Sequence, residues 1–534
     1  MINRTNRTFL LLLVTIASNS FAASVEEVAT EAGIYRGFGS DIDSRVTVFE
    51  GIAYAAPPTG DLRWKAPGAP LPFAGVRNAD RAGPACWQAR NDINSLYARG
   101  NLNRSEDCLY LNVFTGAQDS DDSLPVMVWF HGGGNTAGHA AAKIFDGSNL
   151  AARGAVVVTA NYRLGAFGFL AHPALSAESE QQASGNYGLM DQIEVLQWVQ
   201  NNIAAFGGDP DRVTIFGQSA GGEDVCLLMA SPLTEGLVHR VIGQSPSAGC
   251  IRMERRLSQG EDSGHARGER YMEAMGITGR NTSNLQAMRD LSPQRIVSEG
   301  SPNGPIIDGW VLPDSPANLF AAATHNRIPV MMGGLADEYF GLQHNAEEIS
   351  VAQLDQYLQR GFGNDADDVK TAYADLINES PLAAQKTIAG DNGFIRTARD
   401  WARAIHARGD QAYVYFFTRN PPAFRLYVPA QPDLNNDGGQ RTFGAYHSGE
   451  LAYVFDNLDV VGIGWDEQDK ALSETVADYW FNFAATGNPN GPGLPQWRVF
   501  NPANDMVQIL DTPVVNDIHP RRSFMDLMEA ASAP

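Results

Sequence analysis

An α/β fold, built on a large and mostly parallel central sheet flanked by helices, is predicted by this sequence, and three observations carry the prediction. Five short apolar runs read as buried strands and alternate with helical patterns. One of them leads straight into Gly217-Gln218-Ser219-Ala220-Gly221, a glycine-spaced serine at a strand-to-helix junction. A chain of 534 residues that is 44% hydrophobic and 19% charged also has the apolar content to bury a large core.

In chain order, residues 1–22 read as a removable leader. Arg4 and Arg7 precede an apolar run over 9–17, and Ser20-Phe21-Ala22 supplies small residues for cleavage. That run is too short for the roughly 20 residues of a spanning helix, and no later segment is long and apolar enough. The protein is therefore expected to be exported, periplasmic or secreted, and to lack a membrane span. Runs at 126–130 and 155–160 predict the first buried strands. Leu189, Ile193, Leu196 and Ile203 then recur at helical spacing, with Trp198 and Val199 widening the apolar face. Strands follow at 213–216, 327–332 and 412–417. The stretches at about 255–325 and 345–410 are polar and helix-patterned, which suits insertions capping the sheet over an active-site gorge. With no repeat, low-complexity tract or linker, residues 23–534 read as one catalytic domain.

The formal charge of -22 becomes about -24 once Arg4 and Arg7 leave with the leader. Such acidity disfavours nucleic acid and anionic membranes as partners. In an exported chain the four cysteines can pair. Cys86 with Cys108 is the first choice, closing 21 intervening residues, for which chain entropy gives roughly 3 kcal/mol. Cys226 and Cys250 suit a second bridge or two buried thiols equally.

The chemistry centres on Ser219. A serine hydroxyl needs a base to accept its proton, and the base needs an acid to fix its tautomer and stabilise its charge. The strand at 327–332 runs into Gly333-Gly334-Leu335-Ala336-Asp337-Glu338, which puts two acids just past a strand end, and spacing does not choose between Asp337 and Glu338. Of the ten histidines, His344, His406, His447 and His519 come later. His344 is too near the acids for a separate loop, His406 falls in a helix-like stretch, and His519 is in the tail. His447, flanked by Gly444 and Gly449, is the best candidate base. Donors for a developing oxyanion come from His131-Gly132-Gly133-Gly134 after the first strand, completed by the N–H of Ala220.

With these residues in place the chain resembles the type-B carboxylesterases, the cholinesterase-like branch of the α/β-hydrolases. The resemblance runs through Phe49-Glu50-Gly51-Ile52-Ala53-Tyr54-Ala55, Glu106-Asp107-Cys108-Leu109-Tyr110-Leu111-Asn112-Val113 and Asn161-Tyr162-Arg163-Leu164-Gly165. It continues in Gly188-Leu189-Met190-Asp191-Gln192, Phe206-Gly207-Gly208-Asp209-Pro210, the serine pentapeptide, and Asn482-Phe483-Ala484 with Gly487-Asn488-Pro489. It implies Ser219 as nucleophile, Glu338 rather than Asp337 as acid, and His447 as base. It further implies Gly133, Gly134 and Ala220 as oxyanion donors, a Cys86–Cys108 disulfide beside the gorge, and Ser245 as a partner of the acid. The implied activity is hydrolysis of small-molecule or polymeric carboxylic esters through an acyl-enzyme, by a monomer or weak homo-oligomer, with no metal or organic cofactor.

Three positions depart from the family pattern. Gln218 stands where the family usually has glutamate before the nucleophile, so a negative charge near the imidazole is missing and the pH profile is expected to differ. Tyr339 replaces the glycine after the acid, and Asn135 replaces the common aromatic after the oxyanion glycines, so pocket shape is not transferable. Trp87 lies beside Cys86, out of alignment with the aromatic cation site of cholinesterases, and gives no ground for choline binding. Asp433-Leu434-Asn435-Asn436-Asp437-Gly438 matches the first half of a calcium loop, but Gly444 stands at the position of the closing acid, so a polar turn is the better reading. Lipases, aromatic-ester, polymer-ester, carbamate and amide hydrolases remain within the same fold, and a non-catalytic binding protein is the alternative from another class.

Overall fold

The computed structural model describes residues 25–89, 95–428, 440–462 and 464–531. The leader at 1–22 and the loop at 433–438 lie outside the described residues. Among those described, no helix is long and apolar enough to cross a membrane.

The fold is that of the α/β-hydrolases, on a central sheet of 11 strands. In chain order these are β1 (Phe38–Gly39), β2 (Thr47–Ala53), β3 (Tyr110–Thr115), β4 (Leu124–Phe130), β5 (Val156–Ala160), β6 (Gly208–Gln218), β7 (Arg240–Gln244), β8 (Val330–Leu335), β9 (Ala412–Phe417), β10 (Met506–Leu510) and β11 (Val515–Ile518). Their order across the sheet is β11-β10-β9-β8-β7-β6-β4-β5-β3-β2-β1. From β5 through β10 every neighbouring pair is parallel, and the edges are antiparallel. Parallel strands need both faces covered. In β4 the covering is visible residue by residue: Val126, Val128 and Phe130 join one apolar cluster, while Met127 and Trp129 join the other.

Helices α1 (Tyr187–Asn202) and α2 (Ala220–Ala230) supply Val195, Leu196, Val225 and Leu227 to the first cluster. Residues 255–325 include α3 (Gly264–Ala274) and three shorter helices. The segment 345–410 is almost wholly helical and contains α5 (Val351–Phe362), α6 (Pro381–Gly390) and α7 (Arg396–His406), after the short α4 (Glu338–Leu342). Helix α8 (Glu467–Thr486) covers the second face with Val476, Trp480 and Phe483. The strand expected at 327–332 is shifted to Val330–Leu335. Pro329 precedes it, and Gly333, Gly334 and Leu335 carry on the pairing with Tyr415, Phe416 and Phe417 of β9. The two acids thus follow the strand after a single residue.

Several family motifs prove to be tertiary fasteners. Arg163 forks onto Asp191 of α1 at 2.7 and 2.8 Å with both side chains buried, and Arg63 forks onto Glu106 at 2.6 and 2.7 Å. Both disulfides are formed: Cys86–Cys108, and Cys226–Cys250, which resolves the open choice in favour of a second bridge and ties α2 to the segment after β7.

Candidate active site

Ser219 occupies the one residue between β6 and α2, with φ 61 and ψ −122. A side chain in that left-handed region is strained, and strain of this kind persists only where the surroundings enforce it. Here the Ser219 N–H donates to the Gln244 carbonyl at 2.9 Å and its carbonyl accepts from Glu223 N–H at 2.9 Å. The close approach also requires small neighbours. A Cβ on Gly221 would stand 2.1 Å from the Phe130 carbonyl, and one on Gly132 would stand 2.6 Å from the Gln218 carbonyl. The glycine loop therefore lies directly against the serine turn.

Glu338 and His447, 109 residues apart in sequence, meet in space. His447 Nδ1 is 2.5 Å from Glu338 Oε2. The other carboxylate oxygen accepts from Ser245 Oγ at 2.7 Å and from Leu335 N–H at 2.9 Å, so both oxygens are engaged and the acid cannot rotate freely. His447 Nε2 is 3.2 Å from Gln218 Nε2, which brings the imidazole to the residue immediately before Ser219. The ring is covered by Phe394 at a centroid distance of 4.7 Å, and Tyr97 OH donates to the His447 carbonyl at 2.8 Å.

Asp337, which spacing left level with Glu338, has a different position. Its Oδ2 accepts from Ala445 N–H at 2.8 Å and its own N–H donates to the Ala445 carbonyl at 3.0 Å. It clamps the histidine loop to the end of β8. His344, His406 and His519 lie elsewhere: His406 ends α7 and His519 packs at a tilt against Phe416.

Around the glycines, Gly133 and Gly134 adopt φ of 114 and 64. Among the described residues none accepts a hydrogen bond from the N–H of Gly133, Gly134 or Ala220. The loop is held from outside by residues to which the sequence assigned no such role, two of them, Tyr162 and Gln192, within family motifs. Tyr162 OH donates to the His131 carbonyl at 2.7 Å and to Asn135 Oδ1 at 3.1 Å. Asn135, itself at φ 55, donates to Asp224 Oδ1 at 2.9 Å, and Gln192 donates to Asp224 Oδ2 at 2.7 Å. Burial raises the Asp224 carboxyl to about 7, and it lowers the His131 imidazole to about 4, so His131 is neutral and stays within 2.8 Å of the Gly132 carbonyl. Glu450, three residues past His447, is also buried. It accepts from Gln244 Nε2 at 3.0 Å, and burial followed by the nearby Glu338 charge raises it to about 8. As for Trp87, the Arg104 guanidinium lies 4.9 Å over its ring. No group of three or more metal-ligating side chains occurs among the described residues.

Comparison with known proteins gives one consistent picture. The sequence profile of the "Carboxylesterase family" matches residues 24–525. A fumonisin B1 esterase of Sphingopyxis macrogoltabida is 36% identical over 88% of this chain and 84% of its own length. A para-nitrobenzyl esterase of Bacillus subtilis (strain 168) is 33% identical over 92% of this chain and 96% of its own. Among solved structures, a PNB esterase superposes with a TM-score of 0.76 at 30% identity, covering 94% of this chain and 99% of that one.

Proposed function

The chain belongs to the carboxylesterase family, and we propose that within it this protein is an exported serine hydrolase that cleaves carboxylic esters through an acyl-enzyme. Export is supported by the leader-like residues 1–22 and by two disulfides, which persist in oxidising compartments. The single observation that carries the mechanism is the Glu338–His447 contact at 2.5 Å beside the strained Ser219 turn. With Nδ1–H donated to Glu338, Nε2 is the nitrogen left to act as base, and it lies 3.2 Å from the side-chain amide of Gln218, the residue before the serine. Ser219 Oγ attacks the ester carbonyl while its proton passes to Nε2. The oxyanion that forms is met by the N–H groups of Gly133, Gly134 and Ala220, whose donors no other described group uses. The imidazolium then protonates the departing alcohol, and water attacks the acyl-serine by the same steps in reverse, returning Ser219 and a carboxylic acid.

The relatives are named as esterases of different substrates, fumonisin B1 and para-nitrobenzyl compounds, so they support the reaction class. Ser219→Ala is expected to lower hydrolysis of a short-chain aryl ester by at least about 10³-fold. Unchanged turnover would remove Ser219 from the mechanism.

A further inference from the structure

We propose that Phe394 is a positioning residue for the base: the face of its ring stabilises His447 as an imidazolium, a charge that otherwise has Glu338 alone to balance it. The proposal rests on the ester-hydrolase reading above and adds a residue to its mechanism. As Ser219 Oγ gives up its proton, the imidazole gains a full positive charge in a buried site, with His447 only 2% and Phe394 only 7% exposed. Nδ1 meets Glu338 at 2.5 Å, but the group at Nε2 is the uncharged amide of Gln218 at 3.2 Å. The Phe394 centroid lies 4.7 Å from that of the imidazole, with the two planes inclined by 34°. A cation within about 6 Å of a ring centroid is attracted by the negative face of the ring, most strongly where water is excluded. Neutral imidazole offers that face only a dipole, so the contact strengthens as the proton arrives, and an interaction that strengthens on the way to the transition state raises the rate.

The local structure holds the ring in this place. Between α6 and α7 the helix passes through a π-turn, Asp391–Ile395, the kind of one-residue expansion that recurs at functional sites. The turn is tied on several sides. Tyr373 Oη donates to the Asp391 carboxylate, Arg252 Nη2 donates to the Asn392 carbonyl at 2.7 Å, and Thr397 Oγ1 donates to the Gly393 carbonyl at 2.7 Å. It also lies directly against the acid and its strand. A Cβ on Gly390 would stand 3.1 Å from Glu338 Cβ, and one on Gly334 would stand 2.5 Å from Ile395 Cδ1. Tyr339, which stands in place of the glycine usual after the acid, packs against Phe394 at 5.9 Å. Aromatic contacts thus run from Tyr339 through Phe394 to His447. Tyr97 is farther from the imidazole, at 6.5 Å, and engages the His447 carbonyl instead.

The test reads the acid limb of the pH–kcat/KM profile on a short-chain aryl ester, which follows deprotonation of the base in the free protein. The charged and titratable groups about the imidazole are Glu338 on Nδ1, Tyr97 on the carbonyl, Asp337 on Ala445, Glu450 on Gln244, Asp391 on Tyr373, and the Tyr339 phenol. All of them stay in every variant, so the ring at 394 is the variable. Replacing Phe394 with mono-, di- and trifluorinated phenylalanine withdraws negative charge from the face while nearly keeping the shape. The limb should move stepwise to lower pH, by about half a unit over the series, and kcat on the plateau should fall about three- to tenfold. Phe394→Leu, apolar but without an aromatic face, should behave like the last member, and Phe394→Tyr should keep the unaltered profile. Stoichiometric organophosphonate labelling of Ser219 counts the folded protein in each preparation. A limb and a plateau kcat indifferent to fluorination, or a limb that moves to higher pH, overturns the proposal and leaves the esterase reading intact. No turnover by the unaltered protein overturns both.

Discussion

Gln218 is the residue at which this protein most plainly parts from its family. Its amide nitrogen lies 3.2 Å from His447 Nε2, the atom that must take the serine proton, where the family usually has a carboxylate. An amide contributes a dipole and no charge, so an imidazolium formed during turnover has Glu338 on one side and no anion on the other. Replacing Gln218 with glutamate adds a negative charge at that distance, which favours the protonated imidazole. Less of the base is then free at a given acidity, so the acid limb of the pH–kcat/KM profile for Gln218→Glu is expected to move to higher pH, by up to about one unit. Overlapping profiles for the two proteins would show that the position is electrostatically silent. Asp337 makes a different point. Its spacing was indistinguishable from that of Glu338, and only the backbone bonds to Ala445 reveal it as a clamp for the histidine loop. Two adjacent acids on a tight turn point in different directions, a fact of local geometry that spacing does not encode.

At the level of elements, strands and the serine turn were legible because apolar runs and glycine spacing are local signals. Residues 126–130 and 412–417 were read within two residues of their observed ends. The strand at 327–332 was displaced because two glycines look like a turn and instead lie in the sheet against Tyr415 and Phe416. The bracing of the oxyanion loop was not legible as such, although Tyr162 and Gln192 lie in family motifs and Asn135 departs from one. Asn135, Asp224, Gln192 and Tyr162 come from four separate segments, and single polar residues inside helices or loops carry no periodicity. That bracing is expected to matter for rate. Asn135→Gly keeps a residue suited to φ 55 but removes the bridge to Asp224. Its kcat on a short-chain aryl ester should fall about tenfold to a hundredfold, less than the 10²–10³ of deleting an oxyanion donor outright. An unchanged kcat would mean that the glycines hold their conformation unaided.

Across the whole molecule, burial has set two opposing groups of titrations. His131, His139 and His519 are held neutral, at about 4, 3 and 3 against an ordinary 6.5, so the unfolded chain takes up their protons first and stability is lost as pH falls below 6.5. Asp224 and Glu450 are raised to about 7 and 8 from 3.8 and 4.5, so the folded chain keeps protons the unfolded chain has released, and stability is lost as pH rises toward 8. The two trends oppose each other below 6.5, and only the second remains above it. Tm should therefore fall between about pH 6.5 and 8.5, and Glu450→Gln, which keeps an acceptor for Gln244, should reduce the fall. A Tm that rises through this interval would contradict the assignment.

Turnover by this route passes an acyl group through one oxygen atom, Ser219 Oγ. The most direct test is mass spectrometry of the protein quenched during turnover of a slowly deacylating aryl ester. The expected result is one acyl increment on the peptide containing Ser219, present in His447→Ala at a greatly reduced rate and absent from Ser219→Ala. An increment on any other residue, or rapid turnover with no covalent species and an active Ser219→Ala protein, would contradict it.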